Sequence, residues 1–148
     1  MKTNDSVLAA IRAHAEAAYP EECCGFLLGT LASDECTVRS TYQVQNLSEK
    51  SRSRHYTITP DDYQRAGRKA AQEGLDIVGF YHSHPDHPAQ PSRTDLAEAT
   101  FPGYRYVIVS VQNGRSAEFT AWRLRPDRSE FINEPMTTEF IPTETATI

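Results

Sequence analysis

Two histidines, His82 and His84, stand one residue apart directly after the apolar run 77–81. Side chains at positions i and i+2 of a strand point to the same face, so both imidazoles can reach a single metal ion. The proline-containing segment that follows is long enough to return Asp95 to them as a third, anionic ligand. Two imidazoles and one carboxylate leave a coordination position open for water, as catalytic zinc sites require. The spacing therefore predicts a hydrolytic zinc site.

Other interpretations of these residues stay open at this level. Ser92 and Asp95 have the spacing of a helix capping box, in which the acidic residue serves the helix N-terminus rather than a metal. Asp86 and His87 lie in the same loop and could replace one of the three ligands. Cys24 could instead be a nucleophile, with one of the histidines as its base. Two histidines with an acid fit a metal better, and Cys24 falls in a run predicted to be buried.

Hydrophobic periodicity, prolines and glycines predict the elements that must position these side chains. The predicted helices lie at 5–19, 60–74 and 92–100. The predicted strands lie at 21–29, 36–45, 55–59, 77–81, 104–111 and 116–124. Asn113-Gly114 indicates a hairpin between the last two strands, and a weak strand around 131–132 precedes a threonine-rich tail. This order is typical of an α/β or α+β fold, in which a mixed sheet is flanked by helices.

Length and composition exclude several classes of function. A chain of 148 residues fits one domain, and no apolar run approaches the roughly 18 residues of a membrane span. A net charge of -5 argues against a general nucleic-acid-binding protein, which needs a basic surface for phosphates. The three cysteines lack CxxC spacing, and the polar N-terminus has no signal-peptide core. We therefore expect a cytoplasmic protein without membrane or nucleic-acid partners.

Three segments together resemble the signature of the JAMM (MPN-plus) zinc metalloproteases. They are the segments Glu22-Cys23-Cys24-Gly25-Phe26-Leu27-Leu28-Gly29, His82-Ser83-His84-Pro85 and Pro91-Ser92-Arg93-Thr94-Asp95. The resemblance covers roughly residues 5–125, and the small size is similar to that of the stand-alone prokaryotic members. It implies a curved mixed β-sheet between helices, of the cytidine-deaminase-like architecture, with the metal site at the edge of the sheet. It also divides the chain into a catalytic domain at 1–126 and a C-terminal extension at 127–148.

The resemblance implies a role for each residue of the site. His82, His84 and Asp95 correspond to the ligands of one zinc ion per chain. Glu22 corresponds to the general base, which takes a proton from the attacking water and passes it to the leaving amine. Ser92 corresponds to the serine whose hydroxyl helps to stabilise the tetrahedral oxyanion. Ser92 can fill this role and also cap the following helix.

Two adjacent carboxylates are candidates for the general base. Glu21 and Glu22 both precede the first predicted core strand. The family's Glu-x-x-Gly spacing, which ends here at Gly25, favours Glu22. The sequence leaves Glu21 as the alternative.

The resemblance implies a peptidase or isopeptidase that hydrolyses the bond after the C-terminal Gly-Gly of a ubiquitin-like or sulfur-carrier protein. The prokaryotic group includes the enzyme that releases cysteine from such a carrier. Only about eight residues separate Asp95 from the strand at Tyr104, and Asn113-Gly114 closes a tight hairpin, so the insertions that grip ubiquitin chains have no room. Two alternatives remain: a non-catalytic MPN scaffold, and a DNA-repair relative with a similar His-x-His-Pro loop. The sequence does not predict the oligomeric state.

Overall fold

The computed structural model describes residues 1–139. Its helices are α1 (Asp5–Ala18), α2 (Pro60–Gln72) and α3 (Arg93–Glu98). Its strands are β1 (Lys2–Thr3), β2 (Cys24–Ala32), β3 (Glu35–Val44), β4 (Asp76–Pro85), β5 (Arg105–Gln112), β6 (Arg115–Leu124), β7 (Phe131–Glu134) and β8 (Thr137–Thr138). Within the described residues the strands form one sheet in the order β7-β6-β5-β4-β2-β3-β1-β8. The pairs β4–β5, β1–β3 and β1–β8 are parallel, and the others are antiparallel.

The predicted fold class, a curved mixed sheet flanked by helices, is confirmed. β-Bulges interrupt the pairing of β2 with both of its neighbours and the pairing of β5 with β6, and bulges of this kind bend a sheet. Helix α1 packs on one face of the sheet through Val7, Ile11 and Ala15. Helix α2 packs on the other face through Ala66 and Ala70. Each face of the central strands is therefore buried against a helix.

The central parallel pair, β4 with β5, is unusually close at one point. A Cβ atom at Gly79 would collide with the backbone of Arg105, its partner in the register. Only glycine, which has no Cβ atom, permits the two backbones to lie this close. From this point the two strands stay paired as far as Pro85 and Val111. Strand β4 is therefore longer than the 77–81 predicted, and it contains His82 and His84.

One predicted strand, at 55–59, is wrong. The segment contains β-branched and aromatic residues that favour a strand, yet it pairs with none of the described residues. The reason is that β2 and β4 already have two neighbours each in the sheet, so no edge is free beside them. The segment crosses the sheet face instead, and Tyr56 stacks on His82 with ring centroids 4.7 Å apart.

Local signals placed most helix and turn boundaries within a few residues. Thr59 caps α2 with Pro60 in the first turn, and Gly74 follows the helix at φ +70°. Asn113 and Gly114 have φ of +50° and +84°, as a two-residue hairpin requires. The N-cap of α1 is Asn4 rather than Asp5 or Ser6, since its side chain accepts from the amide of Val7 at 2.8 Å.

Residues 127–139 continue the sheet at its edges. Strand β7 pairs with β6, and β8 pairs with β1. Glu134 of β7 forms an ion pair with Arg105, whose side chain is almost fully buried. The division into a domain at 1–126 and an extension at 127–148 stays a prediction, and the predicted flexible tail lies outside the described residues. Among the helices described, none is long and apolar enough to cross a membrane.

Candidate metal centre

Strands β2 and β4 bring Glu22 beside the two histidines. Cys24 of β2 is the register partner of His82, so the residue two positions before β2 lies next to the end of β4. Two hydrogen bonds fix this junction: Ser83 donates its amide to the carbonyl of Cys23 at 3.2 Å, and its Oγ accepts from the Cys23 amide at 2.8 Å. Glu22, His82 and His84 are all buried. One ligand atom from each lies within 4.8 Å of the others, so the three could hold a metal ion.

Asp95 completes the cluster from the first turn of α3. Its Oδ1 lies 3.2 Å from Nε2 of His82, and its Oδ2 lies 3.1 Å from Nε2 of His84. The two Nε2 atoms are 3.0 Å apart. Ligands at 2.0–2.1 Å from a tetrahedral zinc ion are separated by about 3.3 Å. The spacing of the two nitrogens from each other and from the Asp95 carboxylate is therefore close to that of ligands around one zinc ion.

The surroundings orient both imidazoles with Nε2 toward Asp95. Nδ1 of His84 lies 2.8 Å from the carbonyl oxygen of Pro88. A carbonyl oxygen can only accept a hydrogen bond, so Nδ1 is the donor. This hydrogen bond places a proton on Nδ1, so a metal ion could bind at Nε2 in place of the proton that Nε2 shares with Asp95 in the metal-free protein. His82 is held by the ring of Tyr56, which stacks on it with an angle of 27° between the planes. Neither partner was evident from the sequence.

Burial and neighbouring charges change the proton affinity of the site. Burial raises the pKa of Glu22 from its ordinary 4.5 to about 8, with Asp95 raising it further and His84 opposing the shift. Burial would also raise the pKa of Asp95, but the charge of His82 and the hydrogen bonds from both imidazoles and the Ser92 amide outweigh it and hold the pKa well below its usual range in the metal-free protein. Burial lowers the pKa of His84, whereas hydrogen bonds to Asp95 and Pro88 reverse this, so the net shift is upward.

Without a metal, Glu22 should make the protein less stable as the pH rises from about 4.5 to about 8. In this interval the folded state retains a proton that the unfolded state has released, so the free energy of unfolding falls with increasing pH. One proton corresponds to at most about 1.4 kcal/mol per pH unit. Urea unfolding of chelator-treated protein should show the wild type losing stability relative to Glu22→Gln across this interval. Parallel pH profiles for the two proteins would contradict the prediction.

The alternative assignments fit the geometry less well. Glu21 is exposed, whereas Glu22 is buried and its Oε2 has no hydrogen-bond partner among the described residues. Asp86 is exposed, and its carboxylate accepts from the hydroxyl of Tyr19 at 2.6 Å and from the amide of Asn113 at 2.9 Å. His87 is exposed as well. Asp86 and His87 therefore do not replace the predicted ligands.

The environment of Cys24 argues against a nucleophilic thiol. The side chain is fully buried, and its Sγ lies 3.8 Å from the carbonyl oxygen of Val44. Burial raises the pKa of the Cys24 thiol far above its ordinary value, which disfavours the thiolate needed for attack.

Ser92 serves as the helix cap that the sequence suggested. Its Oγ accepts from the amide of Asp95 at 3.0 Å, and its own amide donates to Oδ2 of Asp95 at 2.8 Å. The hydroxyl hydrogen takes no part in this capping box, so it remains able to donate to another oxygen. The capping and metal-site interpretations of Asp95 are therefore compatible, because one carboxylate serves the helix N-terminus and contacts both imidazoles.

Two relatives with named activities and one solved structure are similar to this chain. The chain is 39% identical to the desampylase of Haloferax volcanii over 106 residues, which cover 72% of this chain and 74% of the relative. It is 30% identical to the CysO-cysteine peptidase of Mycobacterium tuberculosis over 115 residues, which cover 78% and 76% of the two chains. The solution structure of a protein from Salinibacter ruber superposes with a TM-score of 0.76 and 52% identity, over 95% of this chain and 92% of that one.

A more distant structure supports the fold alone. A JAB1/MPN domain protein from Archaeoglobus fulgidus superposes with a TM-score of 0.57 at 19% identity, over 94% of this chain and all of that one. Residues 4–125 match the sequence model of the family described as prokaryotic homologs of the JAB domain. This match includes all of the residues that form the cluster around His82. The chain therefore belongs to the family of prokaryotic JAB-domain homologues.

Proposed function

We propose that this protein is a zinc-dependent peptidase of the JAMM type, which hydrolyses the bond after the C-terminal Gly-Gly of a ubiquitin-like or sulfur-carrier protein. The observation that carries the proposal is the cluster itself. Nε2 of His82 and Nε2 of His84 lie 3.0 Å apart, each has one carboxylate oxygen of Asp95 within 3.2 Å, and the buried Oε2 of Glu22 has no hydrogen-bond partner among the described residues. The names of two relatives, desampylase and CysO-cysteine peptidase, support the same class of reaction.

The donor set suits zinc. Neutral imidazole nitrogen and carboxylate oxygen are ordinary zinc ligands, and three protein ligands leave the fourth position open in catalytic sites. Asp95 is the better carboxylate ligand, because the Ser92 amide fixes its orientation and its two oxygens face the two imidazoles. Glu22 has no such partner among the described residues, so its Oε2 remains available for proton transfer. We therefore assign one zinc ion per chain to His82, His84 and Asp95.

Glu22 and Ser92 would carry the proton transfer and the charge stabilisation. Bound zinc would supply a water of lowered pKa and polarise the scissile carbonyl. Oε2 of Glu22 accepts a proton from the attacking water and returns it to the nitrogen of the leaving amine. Burial, which raises the pKa of Glu22 to about 8 in the metal-free protein, favours the protonated carboxyl that returns the proton, whereas the positive charge of bound zinc would favour the carboxylate that accepts it. Ser92 donates its free hydroxyl hydrogen to the oxyanion.

An extended peptide has a place to bind beside this cluster. A cavity of about 740 Å³ adjoins the cluster through Tyr56, which stacks on His82. Its lining also includes Ile58, Tyr63, Phe80, Phe101 and Tyr106, but none of the residues of the cluster itself. The backbone between Tyr56 and Ile58 makes no hydrogen bond to the rest of residues 1–139. Free backbone groups in an extended segment can pair with a peptide that adds as a strand. This arrangement supports a substrate with an extended C-terminal tail.

Charge and cysteine chemistry are consistent with the setting that we propose, a reducing cytoplasm with a protein substrate. All three cysteines, Cys23, Cys24 and Cys36, are free and buried. The net charge of -5 gives no general attraction for nucleic acid. A small carrier protein therefore remains the partner that we propose.

The proposal is tested with a ubiquitin-like carrier that is extended beyond its Gly-Gly terminus, either by a single cysteine or by a short peptide. We expect release of the extension at the Gly-Gly bond, loss of the activity with a chelator and recovery on addition of zinc. The matched control is the same substrate with Ala-Ala in place of Gly-Gly. Cleavage that is unaffected by complete metal removal, or a failure to cleave any extended carrier by the zinc-loaded protein, would contradict the proposal.

A further inference from the structure

The loop at 86–91, between β4 and α3, carries the carbonyl group that orients His84. Nδ1 of His84 donates to the Pro88 carbonyl at 2.8 Å. The next residue, Ala89, is fully buried, and its own carbonyl accepts a hydrogen bond from Oγ1 of Thr120 at 2.6 Å. Only the two backbone dihedrals of Ala89 separate these two carbonyl groups. Anchoring the second one therefore restricts the direction of the first.

Thr120 is placed to act on the metal centre across the sheet. Thr120 of β6 is the register partner of Ile108 of β5, which in turn is the register partner of His82 of β4. Partners in one row share a face of the sheet, so the Thr120 hydroxyl is on the same face as the imidazoles.

A second hydrogen bond fixes the direction of this hydroxyl. Nε1 of Trp122 donates to Oγ1 of Thr120 at 2.8 Å. An indole N–H can only donate, so Thr120 uses its lone pair for Trp122 and its hydrogen for Ala89. The result is a directed chain of donors from Trp122 through Thr120 to the loop, and hydrogen bonds in such chains strengthen one another.

We propose that Thr120 is a positioning residue for the metal centre, acting through the Ala89 carbonyl on the Pro88–His84 hydrogen bond. The inference rests on the proposed metal site at His84. Loss of a direct partner of a metal-bound histidine typically weakens metal binding 10–100-fold. Thr120 contacts Ala89, the residue next to Pro88, rather than His84 or its partner. We therefore expect Thr120→Val to have a smaller effect and to weaken zinc binding by about threefold to tenfold. Thr120→Ser retains the hydroxyl and should bind zinc like the wild type.

The test is a competition titration of the metal-free protein with zinc against a chromophoric chelator, together with the absorption spectrum of the cobalt-substituted protein. Thr41→Val is the matched control. Thr41 is also half-buried on a strand, and its hydroxyl has no hydrogen-bond partner among residues 1–139. Thermal unfolding of each metal-free variant verifies that it is folded. We expect a weaker zinc affinity and an altered cobalt spectrum for Thr120→Val alone.

The outcomes separate this inference from the proposed function. If the wild type binds zinc and Thr120→Val binds it equally tightly, Thr120 has no positioning role, and the proposed function is unaffected. If Thr120→Ser is as weak as Thr120→Val, packing rather than the hydroxyl is responsible and the inference is wrong. If the wild type itself binds no zinc, the proposed function fails, and the inference about Thr120, which rests on it, fails as well.

Discussion

Replacing Glu22 with glutamine is expected to lower the rate of hydrolysis by about 10²–10⁴-fold, the usual contribution of a general acid-base residue. Glutamine has nearly the same shape as glutamate but cannot accept the proton of the attacking water. The ligand atoms of His82, His84 and Asp95 are unchanged, so zinc should remain bound at the wild-type stoichiometry. Metal content and turnover should therefore respond differently to this substitution. Both are measured on the same purified sample.

Glu21→Gln is the matched control for this experiment. It removes the same charge one residue away, from a side chain that is exposed rather than buried. We expect its activity to stay close to that of the wild type. Full activity in Glu22→Gln would refute the assignment of the base, and loss of activity in Glu21→Gln alone would transfer the role to Glu21.

The second large effect is expected for Asp95→Asn, which should reduce zinc affinity by more than about 100-fold, beyond the range typical for residues outside the coordination sphere. Asparagine retains an oxygen that can accept from the Ser92 amide, so the cap of α3 can persist. The negative charge that faces both imidazoles is lost, and neutral amides are poor zinc ligands. Elemental analysis after dialysis against a weak chelator measures the remaining metal. Cleavage activity should fall in parallel.

Asp62→Asn is a close control because Asp62 occupies the same position in another capping box. Asp62 accepts from the amide of Thr59 at 2.9 Å at the start of α2, just as Asp95 accepts from Ser92 at the start of α3. If both variants lost zinc equally, the effect would come from helix capping. If neither lost zinc, Asp95 would not be a ligand.

The placement of the candidate site residues is largely predictable from the sequence because it depends on local geometry. Alternation of side chains along a strand places His82 and His84 on one face, and β4 extends far enough to include both. The sequence places Asp95 both in a capping box with Ser92 and among the candidate ligands, and in the structure one carboxylate makes both sets of contacts. The Glu-x-x-Gly spacing to Gly25 favours Glu22 over Glu21 as the base. The structure agrees with this choice, because Glu22 is buried and Glu21 is exposed.

What the sequence could not indicate depends on contacts between distant segments. A strand was predicted at 55–59 from its residue types, but a strand also needs a free edge, and the order of the sheet leaves none there. For the same reason the stacking of Tyr56 on His82 has no local signal. The Pro88 group that accepts the hydrogen bond from His84 is a backbone carbonyl, so the residue types in the loop do not predict this contact.

The most direct test of the account is the metal content of the untagged wild-type protein, measured by elemental analysis after the protein has been equilibrated with a limiting mixture of divalent metals and freed of loosely bound ions. The account predicts about one zinc ion per chain, and removal of that ion by a strong chelator should abolish cleavage at the Gly-Gly bond. A folded protein that binds no stoichiometric metal under these conditions, or that cleaves the bond equally well after the metal has been removed, would contradict it.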